Sequence, residues 1–505
     1  MQKSRPCSWF VYLAVLLASG VLYAISCAPG ALWQDSGLIQ YRVWRHDLEG
    51  FLGLALSHPL YYIIAIGAKA LPIGAFAHRV NLVSAVAGAV AVANVYLLMR
   101  LWLDRHFPAI IAALTLALSH TFWRHASIAE TYTLWTALLL VELIMLLQYS
   151  RTRRAGYLYL LGLCNGLAVA VHMLGSIATA CYAVLVIILL GKKIIRWKHA
   201  VLVALFWAIG ALPYEYLIVK QMVQSGDVLA TLASAAFGDR WQGAVLNTHL
   251  AWEIVKENVA LLVLNFPTPN LLLFFVGLIA LVRTRSTALF GRVVAILMVL
   301  FFIFAFRYTV ADRYAFFIPF YALASLLVGL GTHAVRERIP HKALAVLIAG
   351  CSLLPVAAYA VAPGLARRAQ LAPVTRGDVP YRDDIAYFLQ PWKTGYTGAE
   401  RFAREALETV PANAVIYADT TTVAPLLYAQ EVQGQRPDVW IITGLVRSAG
   451  APPYGEEAFA HLAANRLVYV TSKRPGYYPI FLVGHYELIE SGLLWRAVKS
   501  PAPPG

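Results

Sequence analysis

A short acidic motif follows the first apolar segment of the chain. It reads Trp33-Gln-Asp-Ser-Gly37, and Ser57-His-Pro59 follows in the same connection. A carboxylate held where water meets a membrane can act as a general base or bind a divalent metal. Asp35 is therefore the first candidate for a catalytic group. The alternative is structural, because Asp-Ser-Gly is ordinary turn chemistry in which an aspartate caps a helix or a turn.

Two further polar residues, Arg124 and Glu130, lie close together between apolar segments. A buried arginine needs an anionic partner, and Arg124 could find one in Glu130 or in a substrate phosphate. His172 lies inside an apolar segment, where an imidazole is costly to bury unless it is hydrogen-bonded. It serves either packing or substrate binding.

A third polar cluster begins at Arg307 and ends with Asp312-Arg-Tyr314, and aromatic residues follow it. Paired arginines beside aromatic side chains could hold a lipid-linked phosphate and its carrier chain. A salt bridge between Asp312 and Arg313 inside an aromatic belt is the alternative.

The composition indicates what kind of scaffold must position these residues. Of 505 residues, 60% are hydrophobic and 13% are charged, whereas soluble chains carry roughly a quarter charged residues. The chain is therefore predicted to be a membrane protein. The formal net charge of +15 comes from short basic clusters between apolar runs, which indicates membrane topology and not nucleic-acid binding. The five cysteines show no CxxC spacing, so neither a disulfide framework nor a zinc site is indicated.

A spanning helix needs about 20 apolar residues, and this length predicts about eleven transmembrane helices. Two are weak: 107–121 is short and contains Pro108, and 258–282 contains Asn265-Phe-Pro-Thr-Pro-Asn270, which would break or kink it. The predicted segments are 8–28, 81–99, 107–121, 132–149, 156–172, 174–191, 199–219, 258–282, 288–306, 314–332 and 343–362.

Every second connection is basic, which predicts that these connections lie on the inner side. The first helix is expected to remain uncleaved, since this keeps the alternation in phase; a signal peptide in 1–28 is the alternative. Residues 1–362 would then form the transmembrane domain, with a long first outer loop at 29–80. The basic groups are Lys3/Arg5, Arg100/Arg105, Arg151/Arg153/Arg154, Lys192/Lys193/Arg196/Lys198, Arg283/Arg285 and Arg336/Arg338/Lys342.

The same alternation places residues 363–505 on the outer face, where the apolar runs shorten and Pro and Gly become frequent. Strands are predicted at 413–418, 438–442 and 466–471, with a helix at 423–430 and a frayed end at 501–505. This pattern is typical of a small soluble, extracytoplasmic α/β domain.

Several motifs in this chain occur in an order that resembles a known family. Together with the long first outer loop and the outward C-terminal domain, they resemble the GT-C class of membrane glycosyltransferases, and within it the protein O-mannosyltransferase-like branch. Leu38 stands where that branch usually carries Glu, and His58-Pro59 lacks the Pro-Gly-x-Pro that usually follows. The motifs are Trp33-Gln-Asp-Ser-Gly37, His58-Pro59, Asn81-Leu-Val-Ser-Ala85, Ala129-Glu-Thr-Tyr-Thr-Leu134, Asn165-Gly166 with His172, Asp312-Arg-Tyr314 and Arg436-Pro-Asp-Val439.

The resemblance implies a GT-C-like polytopic α-helical membrane fold and an enzyme that takes a sugar from a polyprenyl-phosphate carrier. Asp35 would deprotonate an acceptor hydroxyl, which displaces polyprenyl phosphate at the anomeric carbon with inversion. A divalent metal is left open, because no metal signature is present. Six residues would contact substrate: Arg124, Arg313 and His172 on the leaving phosphate, and His58, Glu130 and Asp312 on donor or acceptor.

The implied partners are the lipid-linked sugar, a protein or glycan acceptor and membrane lipids, without nucleic acid. Mannose and protein Ser/Thr are the expected sugar and acceptor, and a transferase acting on a lipid or surface polysaccharide is the alternative enzyme. A transporter would be expected to show paired broken-helix repeats, and none is evident. A sensor would need little polarity at the outer face, which the polar clusters contradict. Compact loops and Arg/Ala-rich usage favour a bacterial inner membrane, with the site on the periplasmic side.

Overall fold

The computed structural model describes residues 7–283, 288–310, 312–371 and 376–500, with side chains from residue 9 onward. Some predictions fall outside these residues: the basic residues Lys3, Arg5 and Arg285, the side chain of Cys7 and the frayed end 501–505. Within them, Cys27, Cys164, Cys181 and Cys351 are free thiols.

Seventeen α-helices make up the described part of the chain before residue 371. Each of the eleven apolar segments predicted from the sequence coincides with one of these helices or with a pair of them. The seventeen helices are α1 Cys7–Ser26, α2 Gln34–Arg45, α3 Pro59–Gly67, α4 Phe76–Leu103, α5 His106–Ala117, α6 His120–Ala126, α7 Tyr132–Thr152, α8 Gly156–Val171, α9 Gly175–Gly191, α10 Trp197–Ser225, α11 Val228–Phe237, α12 Gln242–Val245, α13 Trp252–Asn265, α14 Leu271–Arg283, α15 Ala288–Arg307, α16 Ile318–Arg338 and α17 Lys342–Arg368.

The helices support a multi-pass membrane protein. By length and composition, seven helical segments of the described chain could cross a membrane, and an eighth results if α5 and α6, which meet at a bend of 70°, count as one span. The shorter apolar helices α8, α9, α11 and α14 lie outside that number. The number of eleven spans therefore stays a prediction.

The two segments that the sequence marks as irregular are both interrupted in the structure. The segment 258–282 is divided into α13 and α14, which are separated by 266–270 with its two prolines. Proline lacks the N–H that a helix interior requires, so a continuous helix is excluded there. Pro108, in contrast, lies in the first turn of α5, where no N–H is needed, and the bend comes after the end of that helix.

The helices pack closely through small residues. A Cβ atom on Gly277 would lie 1.9 Å from the carbonyl oxygen of Leu327, and one on Gly331 would lie 1.9 Å from that of Leu273. Only glycine permits α14 and α16 to approach this closely, as is usual in membrane helix pairs. The α16 helix thereby becomes a central element, buried along most of its length.

The C-terminal part forms a five-stranded sheet in the order β2-β1-β3-β5-β4. The first three strands are parallel, and they and α20 confirm the three strands and the helix predicted from the sequence. The antiparallel hairpin of β4 and β5 was not predicted; it turns at Gly492, whose φ of 61° suits glycine. The elements are α18 Asp384–Leu389, α19 Gly398–Thr409, β1 Val415–Tyr417, α20 Val423–Glu431, β2 Trp440–Ile442, α21 Glu456–Asn465, β3 Val468–Val470, β4 Tyr486–Ser491 and β5 Leu494–Lys499.

The first connection of the chain packs against this C-terminal part. Trp33, Leu38 and Tyr41 share a hydrophobic core with residues of α19 and α20. Arg45 at the end of α2 forms an ion pair with Glu431 at 3.1 Å. These contacts fix α2, and with it the acidic motif, between the helical bundle and the sheet. The helix α17 continues to Arg368, past the predicted boundary at residue 362, and the division into two domains stays a prediction.

Candidate functional site

Two cavities meet at three carboxylates. The first, which we call the histidine cavity, has a volume of about 260 Å³ and contains His58 and His172. The second, which we call the arginine cavity, has a volume of about 120 Å³ and contains Arg124 and Arg382. Four residues line both cavities: Asp35, Glu130, Tyr132 and Asp312. The fold thus brings six of the seven predicted site residues to one place.

Asp35 presents a free carboxylate to both cavities. It lies in the first turn of α2, but the helix is preceded by Trp33 and has no side-chain cap. The Asp35 side chain forms no hydrogen bond or ion pair in the described part of the chain, so the structure does not show the capping role that the motif also suggested. The backbone of the motif needs glycine at position 37, because a Cβ atom there would lie 2.2 Å from the carbonyl oxygen of Leu32.

Glu130 is held in place by two serines. Ser36 Oγ donates a hydrogen bond to Glu130 Oε1 at 3.0 Å. The Glu130 N–H donates to Ser84 Oγ at 2.9 Å, and Ser84 Oγ donates to the Glu130 carbonyl oxygen at 2.9 Å. Gln40 Nε2 donates to Asn81 Oδ1 at 2.9 Å, which ties α2 to α4. The separate sequence motifs thus form one hydrogen-bonded frame around the carboxylates.

All three carboxyl groups have a raised pKa. Burial of the site raises the pKa of Asp35 above its ordinary 3.8, and the negative charge of Asp312 raises it further. Burial and the charge of Asp35 raise the pKa of Glu130 to about 8, although the Ser36 hydrogen bond opposes this. Burial also raises the pKa of Asp312. A carboxylate with a pKa shifted towards neutrality is a stronger general base than an ordinary one.

The two histidines stack on one wall of the cavity. Their ring centroids are 4.8 Å apart, with an interplanar angle of 27°. The carbonyl oxygen of Val171 accepts from His58 Nδ1 at 2.9 Å, so the Nδ1 carries the proton. Burial, with the charge of Arg42, lowers the pKa of His58 to about 3, which leaves the ring neutral and its Nε2 an acceptor.

His172 has its donor and acceptor nitrogens in the opposite arrangement. Its Nδ1 accepts a hydrogen bond from the Leu174 N–H at 3.1 Å, so in the neutral ring the proton is on Nε2. The cavity wall therefore offers one acceptor and one donor side by side. A sugar or acceptor hydroxyl can donate to His58 and accept from His172 at the same time.

Arg124 packs among aromatic rings and forms no ion pair among the described residues. Its Nη1 donates to Tyr314 Oη at 2.5 Å, and its guanidinium carbon lies 5.4 Å, 5.5 Å and 5.8 Å from the ring centroids of Tyr314, Tyr387 and Phe388. The described residues show no ion pair between Arg124 and Glu130, and the Arg124 Nε is buried without a hydrogen-bond partner. Arg124 therefore keeps donors available for an anion.

Two further basic residues lie at or near the arginine cavity. Lys393 is 3% exposed, its Nζ lies 5.0 Å from the ring centroid of Tyr387, which lines the cavity, and burial lowers its pKa well below the usual range. Arg382 lines the cavity and forms an ion pair with Asp384 at 2.7 Å. Because burial favours the neutral form of Lys393, Arg124 is the group with which a buried anion in this cavity would pair.

Arg313 is the predicted site residue that the fold places elsewhere. Its Nε donates to Asn258 Oδ1 at 3.1 Å, and its guanidinium forms an ion pair with Glu257. It faces α13 and lines neither of the two cavities. Its carboxylate partner is therefore Glu257, and not the adjacent Asp312.

The described residues contain no group of three or more His, Cys, Asp or Glu side chains that could hold a metal ion. Asp35, Glu130 and Asp312 share a cavity without converging as a ligand set. The divalent metal stays a prediction.

Sequence reasoning missed several residues of the site. Arg42 follows Asp35 by seven positions on α2, a spacing that places both on one helical face and could have indicated it. Tyr132 belongs to the Ala129–Leu134 motif but was not proposed as a site residue. Arg382 and Lys393 carry no signal, because nothing local in the sequence connects them with Arg124.

Comparison with known proteins matches one part of the chain to a family model. Residues 56–195 match the model of the protein O-mannosyl-transferase TMEM260 N-terminal domain. The match includes His58, Arg124, Glu130 and His172. That part of the chain is similar to the N-terminal domain of a protein O-mannosyl-transferase. The predicted resemblance is thereby confirmed, and so is the prediction of a glycosyltransferase.

Two solved structures of one membrane protein share the fold of this chain. ArnT from Cupriavidus metallidurans bound to undecaprenyl phosphate has a TM-score of 0.61 at 14% identity, over 99% of this chain and 100% of that one. Its apo state has a TM-score of 0.59 at 13% identity, over 98% of each chain. The oligosaccharyltransferase AglB from Archaeoglobus fulgidus has a TM-score of 0.44 at 14% identity, over 92% of this chain and 70% of that one. No curated protein sequence is significantly similar.

Proposed function

We propose that this protein transfers a sugar, mannose in the first instance, from a polyprenyl-phosphate carrier to a serine or threonine hydroxyl of a protein, with inversion. The observation that carries the proposal is the unpartnered carboxylate of Asp35 at the junction of the histidine and arginine cavities. Two comparisons support it: the matched family model describes a protein O-mannosyl-transferase, and ArnT, which shares the fold, has been solved with undecaprenyl phosphate.

The arginine cavity suits the phosphate of the donor. Arg124 has hydrogen-bond donors that form no ion pair with a carboxylate among the described residues. A phosphate monoester is a good leaving group once its growing charge is matched by fixed donors. The aromatic rings of Tyr314, Tyr387 and Phe388 hold the Arg124 guanidinium in position.

The histidine cavity suits the hydroxyl groups. His58 Nε2 as an acceptor and His172 Nε2–H as a donor can orient a sugar hydroxyl or the incoming acceptor hydroxyl. Glu130, fixed by Ser36 and Ser84, supplies a further contact. The position of the sugar between the cavities separates the nucleophile from the leaving group, as in-line displacement requires.

The reaction follows from these positions. Asp35 removes the proton of the acceptor hydroxyl while the oxygen of that hydroxyl forms a bond to the anomeric carbon. The bond from that carbon to the phosphate oxygen breaks at the same time, and its electron pair goes to the phosphate, which Arg124 stabilises. Attack from the side opposite the phosphate inverts the anomeric configuration.

The location is part of the proposal. Compact loops and Arg/Ala-rich usage support a bacterial inner membrane, and the alternation of basic connections supports a site and a C-terminal part on the periplasmic side. Residues of 29–80 line both cavities, and residues of the C-terminal part also line the arginine cavity; the alternation assigns both segments to the outer face.

The test is transfer by the purified protein in lipid nanodiscs. Polyprenyl-phosphate donors with labelled mannose or other sugars would be offered with a Ser/Thr peptide, a glycan or a glycolipid. We expect the label on the peptide hydroxyl, with inverted configuration by NMR. Transfer to glycan or lipid alone would refute the protein acceptor, and movement of the donor across the bilayer without any transfer would refute the enzyme.

A further inference from the structure

A third concave surface lies next to the histidine cavity. It is a groove of about 750 Å³ between α2 and the segment 443–454 of the C-terminal part, and we call it the loop groove. Arg42 and Phe51 line both the loop groove and the histidine cavity. The two spaces therefore adjoin at these residues, and Asp35 lines the histidine cavity beyond them.

The wall of the groove is polar and rich in backbone. One side consists of the continuous segment from Thr443 to Ala451, and the other includes Arg42, Arg45 and Asp47. An acyl or prenyl chain would leave the polar backbone of this wall without hydrogen-bond partners, whereas a polypeptide can supply them. Tyr41, Phe51 and Tyr454 add aromatic contact surfaces of the kind that peptide-binding sites use.

The segment 446–448 gives this wall an extended edge. β2 is the outermost strand of the sheet, and its free side is covered by this segment: the Thr443 N–H donates to the Val446 carbonyl oxygen at 3.0 Å and the Ser448 N–H to that of Ile441 at 2.9 Å. The segment 446–448 thereby becomes the new edge of the sheet. An extended chain can add to such an edge through main-chain hydrogen bonds.

The charges of the groove differ in how they are balanced. Arg42 pairs with Asp47 at 3.3 Å, and Arg45 pairs with Glu431 at 3.1 Å. Arg447 is exposed and has no ion-pair partner among the described residues. The groove therefore has one positive charge available for a partner.

We infer that the loop groove binds the acceptor polypeptide as an extended segment, with Arg447 contacting an acidic side chain near the target hydroxyl. The inference rests on the proposed function, because it requires a protein acceptor. Arg42 forms the floor at the entrance: its Nη2 donates to the Ser57 carbonyl oxygen at 3.2 Å, and its guanidinium lies 4.0 Å from the Tyr62 ring centroid. The acceptor hydroxyl would pass this residue to reach Asp35.

The experiment is a charge exchange between protein and peptide. Two peptides differ only in whether Glu or Lys flanks the target residue, and transfer is measured with the wild type, R447E and R404E. Arg404 is an exposed arginine on α19 that lies outside the groove lining, so R404E is a matched control.

We expect the wild type to prefer the Glu peptide by up to about fivefold in kcat/KM, the range for an exposed ion pair. R447E should prefer the Lys peptide, through KM and not kcat, while R404E behaves as the wild type. A photoreactive group beside the target residue should attach to the segment 443–451.

Three results would overturn the inference. If peptides are glycosylated but R447E keeps the wild-type preference, the groove does not read the acceptor, and the proposed function still stands. If the photoreactive peptide attaches only to residues outside the groove, the groove is likewise not the acceptor site, and the proposed function still stands. If no peptide is glycosylated by any variant, the protein acceptor itself is refuted and the inference falls with it.

Discussion

Replacing Asp35 with Asn should remove most sugar transfer and leave the protein folded. Asparagine has nearly the same size and shape, but it cannot take a proton from the acceptor hydroxyl. The Asp35 carboxylate makes no hydrogen bond or ion pair in the described part of the chain, so no structural contact is lost. Loss of a general base lowers the rate by about 10²–10⁴-fold, which corresponds to about 3 to 5 kcal/mol of transition-state stabilisation.

The direction of the stability change follows from the pKa of Asp35. Because this pKa is raised in the folded protein, the folded state holds the proton more tightly than the unfolded state does. Stability is therefore lost as the pH rises from the ordinary pKa of 3.8 to the raised pKa, and the loss stays constant above it. Asp35→Asn removes that cost, so thermal stability at neutral and higher pH should be unchanged or increased.

Single-turnover transfer from a labelled polyprenyl-phosphate sugar is the appropriate assay, because it reports the chemical step. Thermal unfolding and binding of the unlabelled carrier would be measured on the same samples. Asp227→Asn is the matched control: Asp227 caps α11, accepting from the Ala230 N–H at 2.9 Å, outside both cavities. It should transfer sugar at the wild-type rate.

A variant Asp35→Asn that transfers sugar within tenfold of the wild type would refute the assignment of the base. Glu130 would then be the carboxylate to replace next. A variant that is inactive and also unfolds at a lower temperature than Asp227→Asn would instead indicate a structural role for Asp35.

Three further predictions concern the phosphate, the pH profile and the topology. Arg124→Ala should weaken binding of the carrier lipid with little change in thermal stability, and Arg124→Lys should restore it only in part because the bidentate fork is lost; carrier binding as tight as in the wild type would contradict the phosphate role. Asp312→Asn should lower the pKa of Asp35, and so move the acidic limb of the kcat/KM profile to lower pH, because it removes the negative charge that raises this pKa; a limb that stays in place would show that Asp312 does not act on the base. A reporter that is active only outside the cytoplasm should be active when fused after Gly364 and silent after Arg338, and the opposite pattern would reverse the proposed orientation.

The sequence alone determined where the long apolar helices and three of the five described strands lie. Apolar length is a local property, so the eleven segments matched helices, and the prolines near 266–270 marked the break between α13 and α14. The hairpin of β4 and β5 escaped prediction because both strands are half exposed and rich in polar residues. The acidic motif also indicated Asp35 as a candidate catalytic group, since the residue types of that motif are visible without the fold.

Only the tertiary structure decided which charged residues share the site. Arg124 and Arg313 look equivalent in the sequence, as arginines beside aromatic residues at the ends of helices. In the fold, Glu257 on α13 pairs with Arg313, while Arg124 contacts aromatic rings and a hydroxyl and forms no ion pair among the described residues. Arg382 lines the arginine cavity from the C-terminal part, more than 250 residues along the chain from Arg124. Hydropathy and turn chemistry act between neighbours in sequence, whereas the balance of buried charge depends on which distant segments pack together.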